Sequence, residues 1–388
     1  MDFELGEEQR AFRDAARAFA AGELAPQAAR WDEEKHFPRE VIAAAGELGF
    51  CGLYCPEELG GLGLSRLDAA LILEELAAGC TSTAAFISIH NMATWMACTW
   101  GGEAVREDFC GALIRGEKLA SYCLTEPNAG SDAAALVTRA ERDGDHYRIS
   151  GGKAFISGAG STEVLVLMAR TGAADSGARG ISAFAVPADA PGVSYGKNET
   201  KLGWNSQPTR TIALDNVRIP AAYRLGAEGE GFKIAMRGLD GGRINIAACS
   251  LGAAQAALDH AQTYVQERRQ FGQPIAHFQA LQFKLADMAT ELVAARQLVR
   301  LAASKLDRDD PDKTVYCAMA KRFATDIGFR VCNEALQLHG GYGYLREYPL
   351  ERLLRDARVH QILEGTNEIM RVIVARRILE PGATETIR

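Results

Sequence analysis

The chain has 388 residues, 47% of them hydrophobic and 24% charged, with a net charge of -7. That length exceeds one small core, so two or three subdomains are expected, and the composition is that of a globular protein. The negative balance argues against nucleic acid or an anionic membrane as main partner, no apolar run reaches the length of a membrane span, and nine scattered cysteines lack zinc-type spacing and suit reduced thiols.

Residues 1-120 read as helix after helix. "EEQRAFRDAARAFAAGELAP", "PREVIAAAGELG", "SRLDAALILEELAAGC" and "GEAVREDFCGALIRGE" carry apolar residues at three- and four-residue spacing. Joints such as "CPEELGGLGLS" separate them. The first stretch, "MDFELGEEQRAFRDAARAFA", is an amphipathic, acid-containing helix, unlike a signal peptide or an Arg-rich transit peptide. A cytoplasmic location is therefore expected.

Residues 121-228 change character. "HYRISGGKAFIS", "EVLVLMAR", "ISAFAVP" and "TRTIALDNVRIP" are short, β-branched or aromatic, and bounded by Gly, Pro, Asp and Asn. No helical pattern alternates with them, so a compact antiparallel barrel or sandwich is expected rather than βαβ units. Residues 229-388 return to long Ala- and Leu-rich helical periods, suited to a four-helix bundle. The predicted class is α+β multidomain: helices, then a β domain, then a helical bundle.

Several motifs stand out against this frame. The clusters "GGLG", "GAGS" and "GGYG" are not a G-x-G-x-x-G between a strand and a helix, so a Rossmann site is not expected. "GGYG", at Gly340, follows a long helix and reads equally as a helix stop or as backbone open to a phosphate or sugar. "YCLTEPNAGSD" (122-132) and "GGKAFISGAGS" (151-161) each leave a strand with a hydroxyl and backbone amides exposed, suiting either a plain turn or the edge of a polar heteroaromatic ring. "ERRQFGQPIAHFQ" (267-279) places Arg268 at a helix end, where it reads as a cap for the last carbonyls or as a bidentate pyrophosphate contact. "HQILEGTNEIMR" (360-371) puts Glu364 at a joint beside Ile362 and Leu363, either a solvated carboxylate or a desolvated general base.

Taken together and in order, "YCLTEPNAGSD", "GGKAFISGAGS", "RRQFGQPIAHFQ", "QLHGGYGY" and "ILEGTNEI" resemble the acyl-CoA dehydrogenase family over almost the whole chain. The resemblance implies an N-terminal helical domain, a central β domain and a C-terminal four-helix bundle. It also implies FAD, a homotetramer built as a dimer of dimers, and electron transfer flavoprotein as electron acceptor. The reaction implied is oxidation of an acyl-CoA to the 2-enoyl-CoA. "FISIHNM", "GWNSQPTR" and "GLDGGRINIA" resemble the branch acting on short 2-methyl-branched substrates, so isobutyryl-CoA oxidised to methacrylyl-CoA in valine breakdown is expected. Butyryl- or 2-methylbutyryl-CoA is the alternative within the family, and a non-catalytic paralogue the alternative outside catalysis. The related monooxygenases would not need Glu364, and oxidases carry an added C-terminal domain. A DNA-associated role would need a basic face.

By the same resemblance Glu364 is the catalytic base. Some members instead carry it on a helix in "LD-x-E-R"; here that stretch is "LDGGR", with Gly242 at the position. Tyr122, Leu124, Thr125, Ser131, Phe155, Ile156 and Ser157 are expected at the flavin, with Thr125 and Ser157 bonding its polar edge. Arg268, Phe271, Phe278 and Gln279 are expected at the pyrophosphate and adenosine end. Gln337, Gly340 and Gly341 should reach the FAD of a neighbouring subunit, and Thr366 and Glu368 complete the cofactor site. Ser131, Asp240, Arg243 and Gly365 are candidates for the acyl-CoA; an intrahelical pair is the other reading of Asp240 and Arg243. "GWNSQPTR" departs from the usual family pattern, which has Arg near Asn205, so the contact of that Arg must be replaced. Gly241 and Gly242 suggest lateral room for a branched acyl group, or close helix packing.

Overall fold

A computed structural model describes residues 4-387. Met1-Phe3, part of the first predicted helix, and Arg388 lie outside the described residues. The N-terminal part folds as α1 (Glu7–Phe19), α2 (Ala28–Glu34), α3 (Arg39–Glu47), α4 (Arg66–Gly79), α5 (Thr81–Trp100), α6 (Glu103–Val105) and α7 (Gly111–Ile114). Wide, π-type turns at Ala20–Leu24 and Arg106–Cys110 continue α1 and join α6 to α7. The helix α5 is buried on nearly every side and correspondingly carries almost no charge.

The strands are β1 (Ala120–Cys123), β2 (Arg139–Asp143), β3 (His146–Ser157), β4 (Val164–Arg170), β5 (Ile181–Pro187), β6 (Val193–Tyr195), β7 (Thr209–Pro220) and β8 (Arg224–Leu225). They form one sheet in the order β6-β7-β3-β2-β4-β5-β8, with β1 beside β4. The sheet folds over a shared core: Tyr147, Ile149, Ile212 and Val217 from one half meet Leu165, Leu167, Phe184 and Val186 from the other. The sequence-based expectation of a purely antiparallel domain is corrected at two pairings. β1 runs parallel to β4, and β2 meets β4 in parallel at Arg139. The reason lies in β4, which is buried along its whole length. Leu165, Leu167 and Ala169 face the β core, while Val164, Val166 and Met168 face α5 and the next long helix. A strand covered on both faces is where parallel neighbours are tolerated.

The C-terminal part contains α8 (Gly231–Glu267), α9 (Gln279–Asp307), α10 (Lys313–His339), α11 (Leu350–Arg358), α12 (Asn367–Ile378) and α13 (Ala383–Thr386). The 37 residues of α8 extend about 55 Å and link all three regions. It approaches α4 so closely that a Cβ on Gly252 would lie 2.1 Å from the Glu74 carbonyl oxygen. An unpredicted hairpin, β9 (Arg269–Gln270) with β10 (Gln273–Pro274), follows α8. Its turn puts Phe271 and Gly272 at positive φ. No described helix is long and apolar enough to cross a membrane.

Candidate active site

Glu364 sits between the last turn after α11 and the start of α12. The Thr366 hydroxyl accepts the Ile369 N–H and caps α12. Before that cap the chain reverses through two left-handed residues, Glu364 at φ 54° and Gly365 at φ 91°. Glycine adopts this freely; for Glu364 it is strain of about 1–3 kcal/mol, held by surrounding structure. Lys321 on α10 supplies part of that hold. Its ammonium is fully buried and donates to the Gly365 carbonyl at 2.8 Å and to Asn367 Oδ1 at 3.0 Å.

The Glu364 side chain is half-buried as a whole, but its Oε2 is out of water and has no hydrogen-bond partner. It points at α8 where Gly242 has no side chain; a Cβ there would lie 2.6 Å from Oε2 and 2.9 Å from Met92 Sδ. Burial raises the Glu364 carboxyl to about 7, while Lys321 and Arg243 pull it down. The Glu364 backbone N–H has no acceptor among the described residues. A carboxylate of this kind, dehydrated and aimed but not bonded, is equipped to take a weakly acidic proton.

Asp240 and Arg243 are brought to this site, but they hold each other. Arg243 Nη1 donates to Asp240 Oδ1 at 2.7 Å, and the Thr314 hydroxyl donates to Asp240 Oδ2 at 2.7 Å. Arg243 Nε and the Tyr122 hydroxyl remain buried without partners near Glu364. Arg66, absent from the sequence-based candidates, lies alongside. It is 8% exposed, stacked 3.5 Å over the Tyr54 ring and 4.4 Å over Trp95, with Nη1 unpartnered. A Cβ on Gly241 would lie 2.4 Å from that Nη1. The two glycines therefore do not leave spare room for a branch: Arg66 fills one gap and Glu364 with Met92 the other. Lys321 and Arg66 were missed because a lone cation in a helical period carries no motif.

A second group gathers at the β-domain edge. The Ala154 N–H donates to the Thr125 carbonyl, and the Ser121 hydroxyl donates to the Ser157 carbonyl. The first bond joins the loop after β1 to a bulge in β3, where pairing with β7 slips between Lys153 and Ile156, and the second ties β1 to the end of β3. Phe155 sits in that bulge at φ 57° and is 71% exposed, so the fold presents a strained aromatic side chain outward. Thr125 is tied to the Phe155 neighbour Ala154, while Tyr122 in β1 faces the Glu364 side. Leu124 and Ile156 point into apolar cores and offer only backbone to a ligand. Ser131 is exposed in the following loop.

The third group lies at the far end of α8. Arg268, Gln337, Gly340 and Gly341 line one open cleft of about 640 Å³. Arg268 also stacks 5.4 Å over Tyr342. Phe271 is 92% exposed and packs edge-on against Phe278, next to Gln279 at the start of α9. Gly340 ends α10 at φ 59°, as the helix-stop reading of "GGYG" expects, and it also lines the cleft. Between Arg243 and Arg268 run 25 residues of helix, about 37 Å. This group cannot share one small ligand with the Glu364 side of the same chain. Glu368 is exposed on the first turn of α12.

Asn205 lies in a polar network between α2 and α11. Asn205 Nδ2 donates to Asp32 Oδ1, and Arg355 from α11 donates to both oxygens of Asp32. The cation at this junction is Arg355 from α11.

The sequence and the fold that hold this site recur in known proteins. Residues 6–117, 121–217 and 229–379 match the N-terminal, middle and C-terminal domains of acyl-CoA dehydrogenases. The chain belongs to the acyl-CoA dehydrogenase family and is an oxidoreductase acting on the CH–CH bond of acyl-CoA. It is 53% identical over 376 residues to the mitochondrial isobutyryl-CoA dehydrogenase of Bos taurus, covering 97% of this chain and 90% of that one. It is 54% identical to the corresponding protein of Dictyostelium discoideum, covering 96% and 90%. The solved butyryl-CoA dehydrogenase of Megasphaera elsdenii superimposes with a TM-score of 0.94 at 41% identity, covering 98% of this chain and all of that one.

Proposed function

We propose that the protein is an FAD-dependent dehydrogenase of short 2-methyl-branched acyl-CoA, with isobutyryl-CoA as preferred substrate and a place in valine breakdown. The observation that carries the reading is the enclosed, unpartnered Glu364 carboxylate facing the gap at Gly242. Glu364 takes the α-proton, and the electron pair left on the α-carbon forms the C=C bond as the β-hydride departs. Flavin supplies the two-electron acceptor for that hydride. The thioester carbonyl gains negative character in the transition state, and the free Glu364 N–H is positioned to donate to it; losing one such donor typically costs about 100- to 1,000-fold in rate.

The chain divides at 120/121 and 228/229 in this reading. Tyr122, Thr125, Ser131, Phe155 and Ser157, with the backbone of Leu124 and Ile156, receive the flavin. Phe155 fits that role because a strained, exposed aromatic on a bulge has no packing reason of its own. Thr366 and Glu368 complete the site at the α12 N-terminus, and Gly365 contacts substrate. Asp240 and Arg243 wall the acyl-CoA path as a pair. Arg268, Phe271, Phe278, Gln279, Gln337, Gly340 and Gly341 belong to a neighbouring subunit's FAD within a homotetramer, since about 37 Å of helix separates them from their own Glu364 side. Electron transfer flavoprotein is the proposed acceptor, by family resemblance. The test is single-turnover flavin reduction by isobutyryl-CoA. Glu364→Gln should keep FAD and bind acyl-CoA but lose reduction by several orders of magnitude. Near-normal reduction in that variant would move the base elsewhere.

A further inference from the structure

The groups facing Glu364 come from three directions. Arg243 approaches from α8 and Lys321 from α10. The phenols of Tyr122 and Tyr54 and the thiol of Cys249 are close enough to feel its charge, and burial keeps all three protonated. Asp326 and Glu368 face Lys321 from α10 and α12. Among the described residues, Lys321 and Arg243 are the cations that pull on the base, while the Arg66 guanidinium lies one residue along α8, at Gly241. Arg243 is spent on Asp240. Lys321 has no bonded carboxylate: its hydrogen bonds go to the Gly365 carbonyl and to the amide oxygen of Asn367. Asn367 is itself fixed by donating to the Thr325 hydroxyl at 2.9 Å and to Asp326 Oδ1 at 2.7 Å.

Burying an ammonium costs several kcal/mol, and here it drops the Lys321 pKa to about 8. A neutral amide could have satisfied the same carbonyl. What the lysine adds is a positive field beside a carboxylate it does not bond. A direct bond would pin Oε2 and blunt it as a base; a bond to the next residue's carbonyl leaves Oε2 free.

We propose that Lys321 is a positioning residue for the base: it locks the left-handed Glu364–Gly365 turn through the Gly365 carbonyl, and its charge keeps the unpaired Glu364 carboxylate ionised at neutral pH. The proposal rests on the reading of Glu364 as the base.

The test is the pH profile of single-turnover flavin reduction in the holoenzyme. Lys321→Gln keeps a donor and removes the charge. Its half-maximal pH should rise by about one unit or more, a rate loss of about fivefold or more at pH 7 that is largely recovered at pH 9. Lys321→Met should show the same shift and a lower plateau, because the Gly365 carbonyl is also released. A purely structural lysine would lower melting temperature and plateau without moving the midpoint; a flavin-loaded Lys321→Gln with the wild-type midpoint overturns the proposal. If the Lys321 variants do not fold, Asn367→Asp decides. The added negative charge should offset the lysine's field and raise the midpoint, and an unmoved midpoint overturns the proposal. Full activity of Glu364→Gln in the Lys321 background would instead overturn the base reading, and this one with it.

Discussion

Glu364 combines a left-handed backbone with a carboxylate oxygen that has no partner. Both are unfavourable for folding, and the second depends on pH. The folded carboxyl is raised to about 7 from an ordinary value of 4.5, so the folded state binds this proton more tightly than the unfolded chain. The stability tied to it is fully present below pH 4.5 and is lost as pH rises through 7. Glu364→Gln removes the titration. Wild type should therefore lose stability relative to Glu364→Gln between pH 5 and pH 8, by roughly 3 kcal/mol at most. Asp356, also raised by burial, to about 6, is present in both proteins and cancels. Denaturant melts of the two flavin-loaded proteins at both pH values measure the difference. A gap that widens toward acid would mean that Glu364 is stabilised as a charge, contrary to its role. The sequence made this residue visible as an apolar-flanked carboxylate at a joint. Its left-handed backbone and its empty Oε2 depend on α8 and α10, which lie far away in the chain.

Helix α8 is where glycine makes the site possible. Alanine is the better helix former by about 1 kcal/mol, so propensity alone favours replacing Gly242 or Gly252. Packing reverses the outcome, differently at each. At Gly242 the new Cβ meets the end of a flexible side chain, Glu364 Oε2. Gly242→Ala should fold with a nearly unchanged melting temperature but reduce flavin at least tenfold more slowly, because the base is pushed from its line. At Gly252 the Cβ meets the Glu74 backbone carbonyl, which cannot step aside. Gly252→Ala should destabilise by about 1–3 kcal/mol in denaturant melts with kcat little changed in the folded fraction. Equal effects of the two changes on both measurements would show that the glycines serve packing alone. The helical periods and strand runs were legible because periodicity reports burial directly. The parallel β1–β4 pairing, the hairpin after α8 and the Arg66 stack were not. Each depends on a partner distant in sequence, and a guanidinium over Tyr54 and Trp95 leaves no local pattern.

On the scale of the whole molecule, the residues proposed for FAD fall into groups set apart along α8, with about 37 Å of helix between Arg243 and Arg268. In the proposed tetramer the cleft at Arg268 would complete a neighbour's cofactor site, so Arg268→Ala should lower flavin retention without changing the helix content of the chain. A monomer by light scattering that keeps full activity would refute the arrangement. Substrate choice tests the molecule's other end. The Arg66 guanidinium, with Nη1 free of hydrogen bonds, stands at Gly241 and the Met92 sulfur at Gly242, next to the base, where a long acyl chain would need apolar space. Burying methylenes against a guanidinium N–H that has no acceptor is unfavourable, whereas a short chain would stop before it. Apolar pockets discriminate by about 1–3 kcal/mol per methylene, so 2-methylbutyryl- and butyryl-CoA should be measurable secondary substrates behind isobutyryl-CoA. Octanoyl-CoA should be turned over poorly, and Arg66→Leu should raise its kcat/KM relative to isobutyryl-CoA by about tenfold or more if the cation sets the limit. The measurement is a panel of straight and branched acyl-CoAs with an artificial electron acceptor. An octanoyl- or isovaleryl-CoA optimum in the wild type would reject the proposed substrate while leaving the chemistry at Glu364 in place, and an unchanged ratio in Arg66→Leu would move the limit to another residue.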